Sequence, residues 1–197
     1  MQTDADRLKR LADRLEIQEL LYRYARGVDR CDWELVRAVY HPDAYDDHGN
    51  YKGGVGGFIE SLKKRHATIE QSMHVVTNIL IEFDGADSAL VESYFVTYQR
   101  ILPQAGDARR NYYIREDLPE DAAVQGQAIG RYVDRVSRRD GAWRIARRTV
   151  VFEVYRGTVT PPGGSLRSNW TVSRRDGRDP LEVQRAELGL DRPGRLR

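Results

Sequence analysis

The sequence is poor in cysteine: its 197 residues include a single one, Cys31. One thiol excludes an internal disulfide framework and every metal site built from several cysteines. A lone thiol near an acid is weak evidence for a nucleophile, so we do not expect Cys31 to be catalytic.

The chain also lacks long apolar runs and a marked excess of one charge. No segment approaches the roughly 20 apolar residues that a membrane span needs. The N-terminus, MQTDADRLKRLADRLEIQ, has no apolar core of the kind found in a secretory signal. The formal net charge is +2, which creates no strong field toward nucleic acid. We therefore expect a cytoplasmic protein that binds neither membranes nor nucleic acid.

The hydrophobic period changes from helical to strand-like along the chain, which predicts an α+β fold with its helices first. Residues 4–30 form one long amphipathic pattern, capped by Thr3 or Asp4. The apolar stripe of this predicted helix consists of Leu8, Leu11, Leu15, Leu20, Leu21, Tyr24, Ala25 and Val28. Shorter helices are predicted over residues 32–40, with Asp32 as N-cap, and 58–69.

Four long strands are predicted in the second half, over residues 74–83, 89–102, 128–139 and 142–155. The last two flank Asp140-Gly141, which is a strong hairpin signal between apolar alternations. A sheet curved around the long helix would leave a pocket between them. We expect one domain over residues 1–155 and an extended basic C-terminal tail over residues 156–197.

Asp29 ends the long predicted helix, although a carboxylate is costly to bury on a core-facing helix. His74 opens the first long strand, on the alternating face that it shares with Val76, Asn78 and Leu80. A neutral imidazole can accept and return a proton near pH 7, and a carboxylate on its second ring nitrogen fixes its tautomer. Asp29 and His74 are therefore the predicted catalytic pair. The alternatives are that Asp29 is a loop residue and that His74 is a structural histidine.

Tyrosine is frequent, with eleven residues against four phenylalanines. A phenol combines an apolar ring with one hydrogen-bonding group, so several around one cavity would suit a flat ring compound. Tyr22 lies on nearly the same helix face as Asp29. The predicted substrate-binding residues are Tyr22, Tyr24, Tyr45, Asn78, Tyr98, Tyr132 and Asp134. Ordinary packing of the tyrosines, and pairing of Asp134 with an arginine of the sheet, are the alternatives.

Asp46, Asp47 and His48 look like metal ligands at first sight. Consecutive strand residues point to opposite faces, and no helical HxxxH pair accompanies them, so we predict no metal site. The GGVGG run at 53–57 lacks the preceding strand and the following Lys-Ser/Thr of a phosphate-binding loop.

Four stretches together resemble the SnoaL-like branch of the nuclear transport factor 2-like superfamily, over roughly residues 8–155. They are LEIQELLYRYARGVDRCDWELVRAVYHPDA, the glycine-rich turn, MHVVTNILIEFDGADSALVESY and GRYVDRVSRRDGAWRIARR. The resemblance implies a cone-shaped barrel of three N-terminal helices on a curved antiparallel sheet. It also implies a homodimer or homotrimer and chemistry without a metal or organic cofactor.

The family includes scytalone dehydratase, bile acid 7α-dehydratase and hexachlorocyclohexane dehydrochlorinase. The Asp–His dyad of the dehydrochlorinase falls on Asp29 and His74 of this sequence. A pocket histidine and a pocket asparagine of scytalone dehydratase fall at Tyr98 and near Tyr132, and a lysine of the dehydrochlorinase falls at Tyr24. These departures imply a different substrate.

The resemblance and the predicted dyad favour a cofactor-independent, dehydratase-like lyase or isomerase for a small hydrophobic, aromatic or polycyclic substrate. One alternative is a non-catalytic ligand-binding or scaffold subunit, similar to the small β subunits of ring-hydroxylating dioxygenases. A weaker alternative is a polyketide cyclase. The polar segment 103–122 is a lid, an intersubunit arm or an ordinary surface loop.

Overall fold

Helices precede most of the sheet in the computed structural model, which describes residues 3–111, 117–160 and 166–190. The helices are α1 (Asp4–Arg30), α2 (Trp33–Ala38), α3 (Val55–His66) and α4 (Pro180–Glu187). The strands are β1 (Tyr40–Asp47), β2 (Lys52–Gly54), β3 (Ile69–Phe83), β4 (Ser88–Ile101), β5 (Ala123–Arg139) and β6 (Ala142–Thr160). Turns of 3₁₀ helix span Pro103–Asn111 and are interrupted at Gly106.

Both predicted N-caps of the first two helices are confirmed. The hydroxyl of Thr3 accepts the backbone N–H of Asp6, and the Asp6 carboxylate accepts the N–H of Thr3, which forms a capping box. The Asp32 side chain accepts the N–H of Leu35 at the start of α2. Asp29 therefore does not serve as the cap of the second helix.

The first helix has the predicted span but turns a different face to the sheet. Leu8, Leu11 and Leu15 are all more than half exposed, whereas Ile17, which the predicted stripe omits, is fully buried. The predicted stripe is therefore wrong over the first half of α1. The reason is Asp13, which lies on the buried face and is stabilised there by hydrogen bonds from Trp143 and Arg138.

The sheet has the strand order β2-β1-β6-β5-β4-β3. β1 and β6 run parallel and all other neighbours antiparallel. The expectation of a purely antiparallel sheet is wrong at this one pair, because β1 meets β6 without a hairpin to set its direction. Among the described residues no further strand pairs with β2 or β3, so the six-stranded sheet is open and does not close into a barrel.

Helix α1 packs against both β3 and β6, although β5 and β4 separate these strands in the sheet. A helix can contact both strands only if the sheet is concave toward it. The core between them contains a cluster of aromatic side chains, namely Tyr24, Tyr40, Phe58, Phe95 and Tyr132.

The hairpin of β5 and β6 turns at Asp140-Gly141, as predicted, and its strands extend beyond their predicted ends. β5 begins at Ala123 and pairs with Thr160 at the far end of β6, so β6 continues past the expected domain boundary at residue 155. The tail is not wholly extended either, because α4 forms within it, with Asp179 as its cap. Residues 161–165 and 191–197 of the tail lie outside the described residues.

The side chain of one arginine joins distant parts of the segment between β4 and β5 by hydrogen bonds. The guanidinium of Arg109 is buried and donates hydrogen bonds to the carbonyl groups of Gly106, Pro119 and Ala122. Residues 112–116, in the middle of the predicted lid or arm, lie outside the described residues. None of the helices in the described part of the chain is long and apolar enough to span a membrane.

Candidate active site

Asp29 lies in the last turn of α1 and its side chain points inward, toward β3. Its Oδ1 accepts hydrogen bonds from the Ser72 hydroxyl at 2.8 Å and from His74 Nδ1 at 2.7 Å. Its Oδ2 accepts the backbone N–H of His74 at 2.8 Å. The structure therefore brings together the two residues that sequence reasoning paired, and it places a third hydrogen-bonding residue beside them.

His74 lies on the inward face of β3 with only a small part of its side chain exposed. With Asp29 ionised, Nδ1 carries the proton that is donated to the carboxylate, and Nε2 of the neutral ring is left with a free lone pair. Nε2 has no hydrogen-bond partner in the described part of the chain. This arrangement is suited to accepting a proton at Nε2.

The environment of Asp29 favours its ionised form. Burial alone would raise the pKa of this carboxyl group, but the charge and hydrogen bonds of His74, together with the Ser72 hydroxyl, outweigh it and lower the pKa. The carboxylate therefore stays charged at neutral pH and can stabilise an imidazolium on His74.

A chain of side-chain hydrogen bonds continues from the dyad into the protein. Gln99 Nε2 donates to the Ser72 hydroxyl at 3.3 Å, and Arg65 donates to Gln99 Oε1 at 2.6 Å. The donors all point in one direction, from Arg65 through Gln99 and Ser72 to Asp29. Each link orients the next, so the chain supports the ionised carboxylate.

Two cavities flank this chain. The smaller one, of about 260 Å³, is lined by both residues of the dyad together with Tyr22, Ala25, Arg26, Arg30, Val76 and Leu181. The larger one, of about 690 Å³, lies on the other side and reaches Arg65, His48, Phe58 and Tyr155, but not the dyad. Size alone favours the larger cavity as a ligand site, whereas chemistry favours the smaller, and we give greater weight to the cavity that contains the dyad.

Three of the predicted substrate-binding residues, Tyr45, Tyr98 and Asn78, point away from the dyad. Tyr45 and Tyr98 alternate with the buried residues Asp46 and Thr97, so their rings point to the outer face of the sheet. Asn78 occupies a β-bulge with a positive φ of 49° and is exposed. The bulge shifts the alternation of β3 by one residue, so the predicted face shared by His74 and Asn78 is wrong beyond Thr77.

Tyr24, Tyr132 and Asp134 lie in the core, around an arginine that sequence reasoning missed. Arg148 is fully buried, binds Asp134 through two hydrogen bonds of 2.8 and 2.7 Å, and lies 4.1 Å from the ring centres of both tyrosines. Burial raises the pKa of Asp134 despite the opposing charge of Arg148. The structure therefore confirms the alternative interpretation of Asp134, in which it pairs with an arginine of the sheet. Of the predicted substrate-binding residues, Tyr22 alone lines the dyad cavity.

The side chains of Asp46, Asp47 and His48 are also engaged by partners within the protein. Asp46 is buried and accepts hydrogen bonds from Tyr40 at 2.7 Å and from His48 at 3.0 Å. Asp47 points the other way and pairs with Lys52. Within the described ranges, no group of three or more His, Cys, Asp or Glu side chains is gathered as metal ligands would be.

Cys31 is the C-cap of α1, in the left-handed conformation that commonly ends a helix. Burial raises the pKa of its thiol, which disfavours the nucleophilic thiolate.

Several residues around the dyad were missed by sequence reasoning. Ser72 precedes His74 by two positions on the same strand and therefore shares its face, so strand alternation could have found it. Gln99 and Arg65 belong to elements distant in sequence, and no local pattern identifies them. Arg175 and Leu181, which contact the site from the tail, were missed for the same reason.

Comparison with known proteins places this geometry in a family context. A family model described as a SnoaL-like domain matches residues 9–149. An uncharacterized protein of Mycobacterium tuberculosis is 30% identical over 79 residues, which cover 38% of this chain and 53% of that protein. The chain therefore spans about half the length of the curated relatives it matches.

Three solved structures illustrate the fold similarity. A protein of Novosphingobium aromaticivorans described as a candidate scytalone dehydratase has a TM-score of 0.61 at 20% identity, covering 80% of this chain and 98% of that one. The hexachlorocyclohexane dehydrochlorinase LinA-type3 of Novosphingobium barchaimii has a TM-score of 0.61 at 19% identity, covering 81% and 98%. A candidate aromatic ring hydroxylase of N. aromaticivorans has a TM-score of 0.59 at 26% identity, covering 75% and 94%. The α+β fold is thus shared with proteins described as a dehydratase, a dehydrochlorinase and a ring hydroxylase.

Proposed function

Since the chain belongs to the SnoaL-like domain family, we propose that it is a cofactor-independent lyase or isomerase of the dehydratase type. The substrate is a small, ring-containing hydrophobic compound. His74 removes a proton from a carbon next to a carbonyl group, and Asp29 holds the imidazole and stabilises the imidazolium. The observation that carries the proposal is the Asp29–His74 pair on the wall of a cavity, with Nε2 not engaged by the described chain.

The elimination balances without an external reactant. His74 Nε2 takes the proton, the electron pair of the C–H bond forms a C=C bond, and the C–O bond to a neighbouring hydroxyl breaks. The imidazolium then returns its proton to the departing hydroxyl, which leaves as water. Isomerisation uses the same first step and returns the proton to a different carbon. Tyr22, on the same cavity wall, offers its phenol O–H to the carbonyl oxygen of the substrate.

A panel of cyclic β-hydroxyketones incubated in D₂O tests this proposal with two readouts. Absorbance of the conjugated enone reports elimination, and deuterium uptake at carbon reports proton abstraction that is followed by reprotonation, as in isomerisation. We expect His74→Ala to slow both signals by about 100-fold or more, in line with the usual contribution of a general base. Tyr98→Phe, on the outer face, is the matched control and should retain full activity. Turnover that is equal in His74→Ala and in the unaltered protein would rule out this mechanism.

A second candidate function is ligand binding or scaffolding without turnover. The larger cavity, of about 690 Å³, favours it because this cavity has the volume of a typical ligand site and does not include the dyad. Binding that survives in His74→Ala but is lost when the larger cavity is filled by Ala108→Trp would support this function over the catalytic one. Stable association with a larger iron-containing protein would point the same way.

We also propose that the chain forms a homodimer or homotrimer through the outer face of its sheet. Large apolar side chains of β3 and β4 are exposed there, namely Met73, Val75, Leu80, Leu90, Tyr94 and Tyr98. Exposed apolar patches of this kind commonly mark protein interfaces.

The free thiol of Cys31 is compatible with the reducing cytoplasm, which is the location we propose.

A further inference from the structure

Residues of the C-terminal tail, beyond the part matched by the family model, contact both elements that carry the dyad. Arg175 Nε donates to the backbone carbonyl of Asp29 at 2.9 Å, and a terminal nitrogen donates to the carbonyl of Val28 at 3.2 Å. The same guanidinium also donates to the carbonyl of Ile69 and to Nδ1 of His66. One side chain thus joins the end of α1, the start of β3 and the end of α3.

The position of this guanidinium has a clear electrostatic reason. The last carbonyl groups of a helix lack partners within the helix and carry the negative end of its dipole. A carboxylate in the last turn, as at Asp29, adds to that negative charge. Arg175 supplies both hydrogen bonds and positive charge there, so it stabilises the helix end that presents the Asp29 carboxylate.

His66 is affected by the same contact. Its Nδ1 accepts a hydrogen bond from Arg175 and is therefore unprotonated, which places the proton of the neutral ring on Nε2. The side chain is buried, and Nε2 has no partner among the described residues. Arg175 thus sets the tautomer of a second histidine next to the dyad.

The next part of the tail forms a wall of the dyad cavity. Asp179 is buried, pairs with Arg30 of α1 at 3.3 Å and accepts the backbone N–H groups of Arg174 and Leu181 at 3.1 Å. These contacts fix Leu181 at the start of α4. The Leu181 side chain then lines the cavity of about 260 Å³ together with His74.

We propose that residues 174–181 are a component of the active site, in which Arg175 is a positioning residue and Leu181 determines specificity. Arg175 holds the helix end that carries Asp29 in register with the strand that carries His74. Leu181 and Val76 both line this cavity, so the substrate is a compact ring whose apolar edge packs between these two side chains. This inference rests on the proposed function for its reaction, but its structural part can be tested without turnover.

The test of Arg175 uses ¹⁵N NMR of the histidine rings in the full-length chain. In Arg175→Met we expect the ring nitrogen shifts of both His66 and His74 to change, and in Arg175→Lys we expect smaller changes, because a lysine cannot make all four bonds. Arg167→Met is the matched control: Arg167 is an exposed arginine of the same tail whose guanidinium contacts only Trp170 among the described residues, so its loss should leave both rings unchanged. If Arg175→Met does not fold, Arg175→Lys carries the same test. Unchanged His74 shifts in a folded Arg175 variant would overturn the positioning role.

The test of Leu181 uses 4-alkylphenols, from methyl to butyl, as probes of the cavity. Their binding is followed by the shift of the His74 ring resonances. In Leu181→Ala we expect the longer phenols to bind at least ten-fold more tightly than in the unaltered chain, whereas Leu188→Ala, an exposed residue of the same tail, should change nothing. An unchanged length preference in Leu181→Ala, or phenols that fail to perturb His74 in every variant, would overturn this role.

The two proposals fail in different ways. If the Arg175 and Leu181 tests succeed while the hydroxyketone panel shows no proton abstraction, residues 174–181 shape a ligand site and the proposed reaction is wrong. If proton abstraction occurs and depends on His74, Leu181→Ala should in addition raise kcat/KM for the larger hydroxyketones relative to the smaller. If proton abstraction depends on His74 but Leu181→Ala leaves the substrate preference unchanged, the proposed function stands and Leu181 does not determine specificity.

Discussion

Asp29 holds His74 at two points, with Oδ1 2.7 Å from the ring nitrogen Nδ1 and Oδ2 2.8 Å from the backbone nitrogen. The two contacts fix the ring relative to the strand that carries it, so the side chain does not need to be ordered by a ligand. The Ser72 hydroxyl provides a third donor to the same carboxylate. The pair is therefore organised before any substrate binds, which is the geometry that efficient proton transfer requires.

The first prediction concerns the tautomer of His74. With Asp29 present, the neutral ring should carry its proton on Nδ1, and in Asp29→Ala it should shift toward the Nε2-protonated form that is usual without such a partner. ¹⁵N NMR of the ring above pH 8 measures the two forms directly. Asp47→Ala, which removes a surface partner of Lys52 instead, is the control. An unaltered nitrogen spectrum in Asp29→Ala would contradict the coupling.

The second prediction concerns stability against pH. Burial lowers the pKa of His48 and, with the charges of Arg65 and Arg175, lowers that of His66 well below its ordinary value of 6.5. Below pH 6.5 each of these two histidines therefore binds more protons in the unfolded chain than in the folded one. Their contribution should lower the free energy of unfolding as the pH drops from 7 to 5, by at most about 1.4 kcal/mol for each histidine and each pH unit below 6.5.

Urea unfolding at several pH values measures this loss. Replacing His66 with Gln removes one titrating group, so the variant should lose less stability than the unaltered protein between pH 7 and 5. His41, whose pKa is also lowered by burial, adds to the residual slope in both proteins. Equal slopes in the two proteins would show that His66 does not titrate as its burial requires.

Local patterns predicted the parts of the fold that depend on near neighbours in sequence. The span of α1 follows from its 3.6-residue period and from the Thr3 cap, and the last hairpin follows from Asp140-Gly141. Asp29 could be singled out because it is a carboxylate on a core-facing helix. His74 could be singled out because it is the polar first residue of a predicted apolar strand. Their hydrogen bond could only be a hypothesis, since 45 positions separate them.

The features that escaped prediction depend on distant partners. A buried arginine such as Arg148 looks like any surface arginine until its partner Asp134 is known. The bulge at Asn78 changes the face of every later residue in β3, and no glycine marks it. Arg175 reaches Asp29 across 146 positions, from a tail whose composition suggested only a solvated terminus.

The third prediction concerns the buried pair of Arg148 and Asp134. Arg148→Met leaves the Asp134 carboxylate in the core without its partner, which should cost about 3–5 kcal/mol of unfolding free energy. The double variant Arg148→Met/Asp134→Leu removes both charges and should recover much of that loss. Arg139→Met, which breaks an exposed pair with Asp43, should cost less than about 1 kcal/mol. Urea unfolding of these proteins and of the single variant Asp134→Leu completes the cycle, and additive losses in the double variant would contradict a coupled pair.

The last prediction concerns the outer face of the sheet. Met73 lies opposite Tyr98 and Val75 opposite Val96 in the pairing of β3 with β4, so their side chains form one continuous apolar surface. Burying this surface in a dimer or trimer would be driven by the hydrophobic effect, and a charge placed at its centre would have to be desolvated. Sedimentation velocity should therefore show an oligomer for the unaltered chain and a smaller species for Val75→Glu. Leu188→Glu, on α4's exposed end, should sediment like the unaltered chain. If Val75→Glu remains the same size while staying folded, the interface lies elsewhere, because no compact contact through this face could accommodate the buried carboxylate.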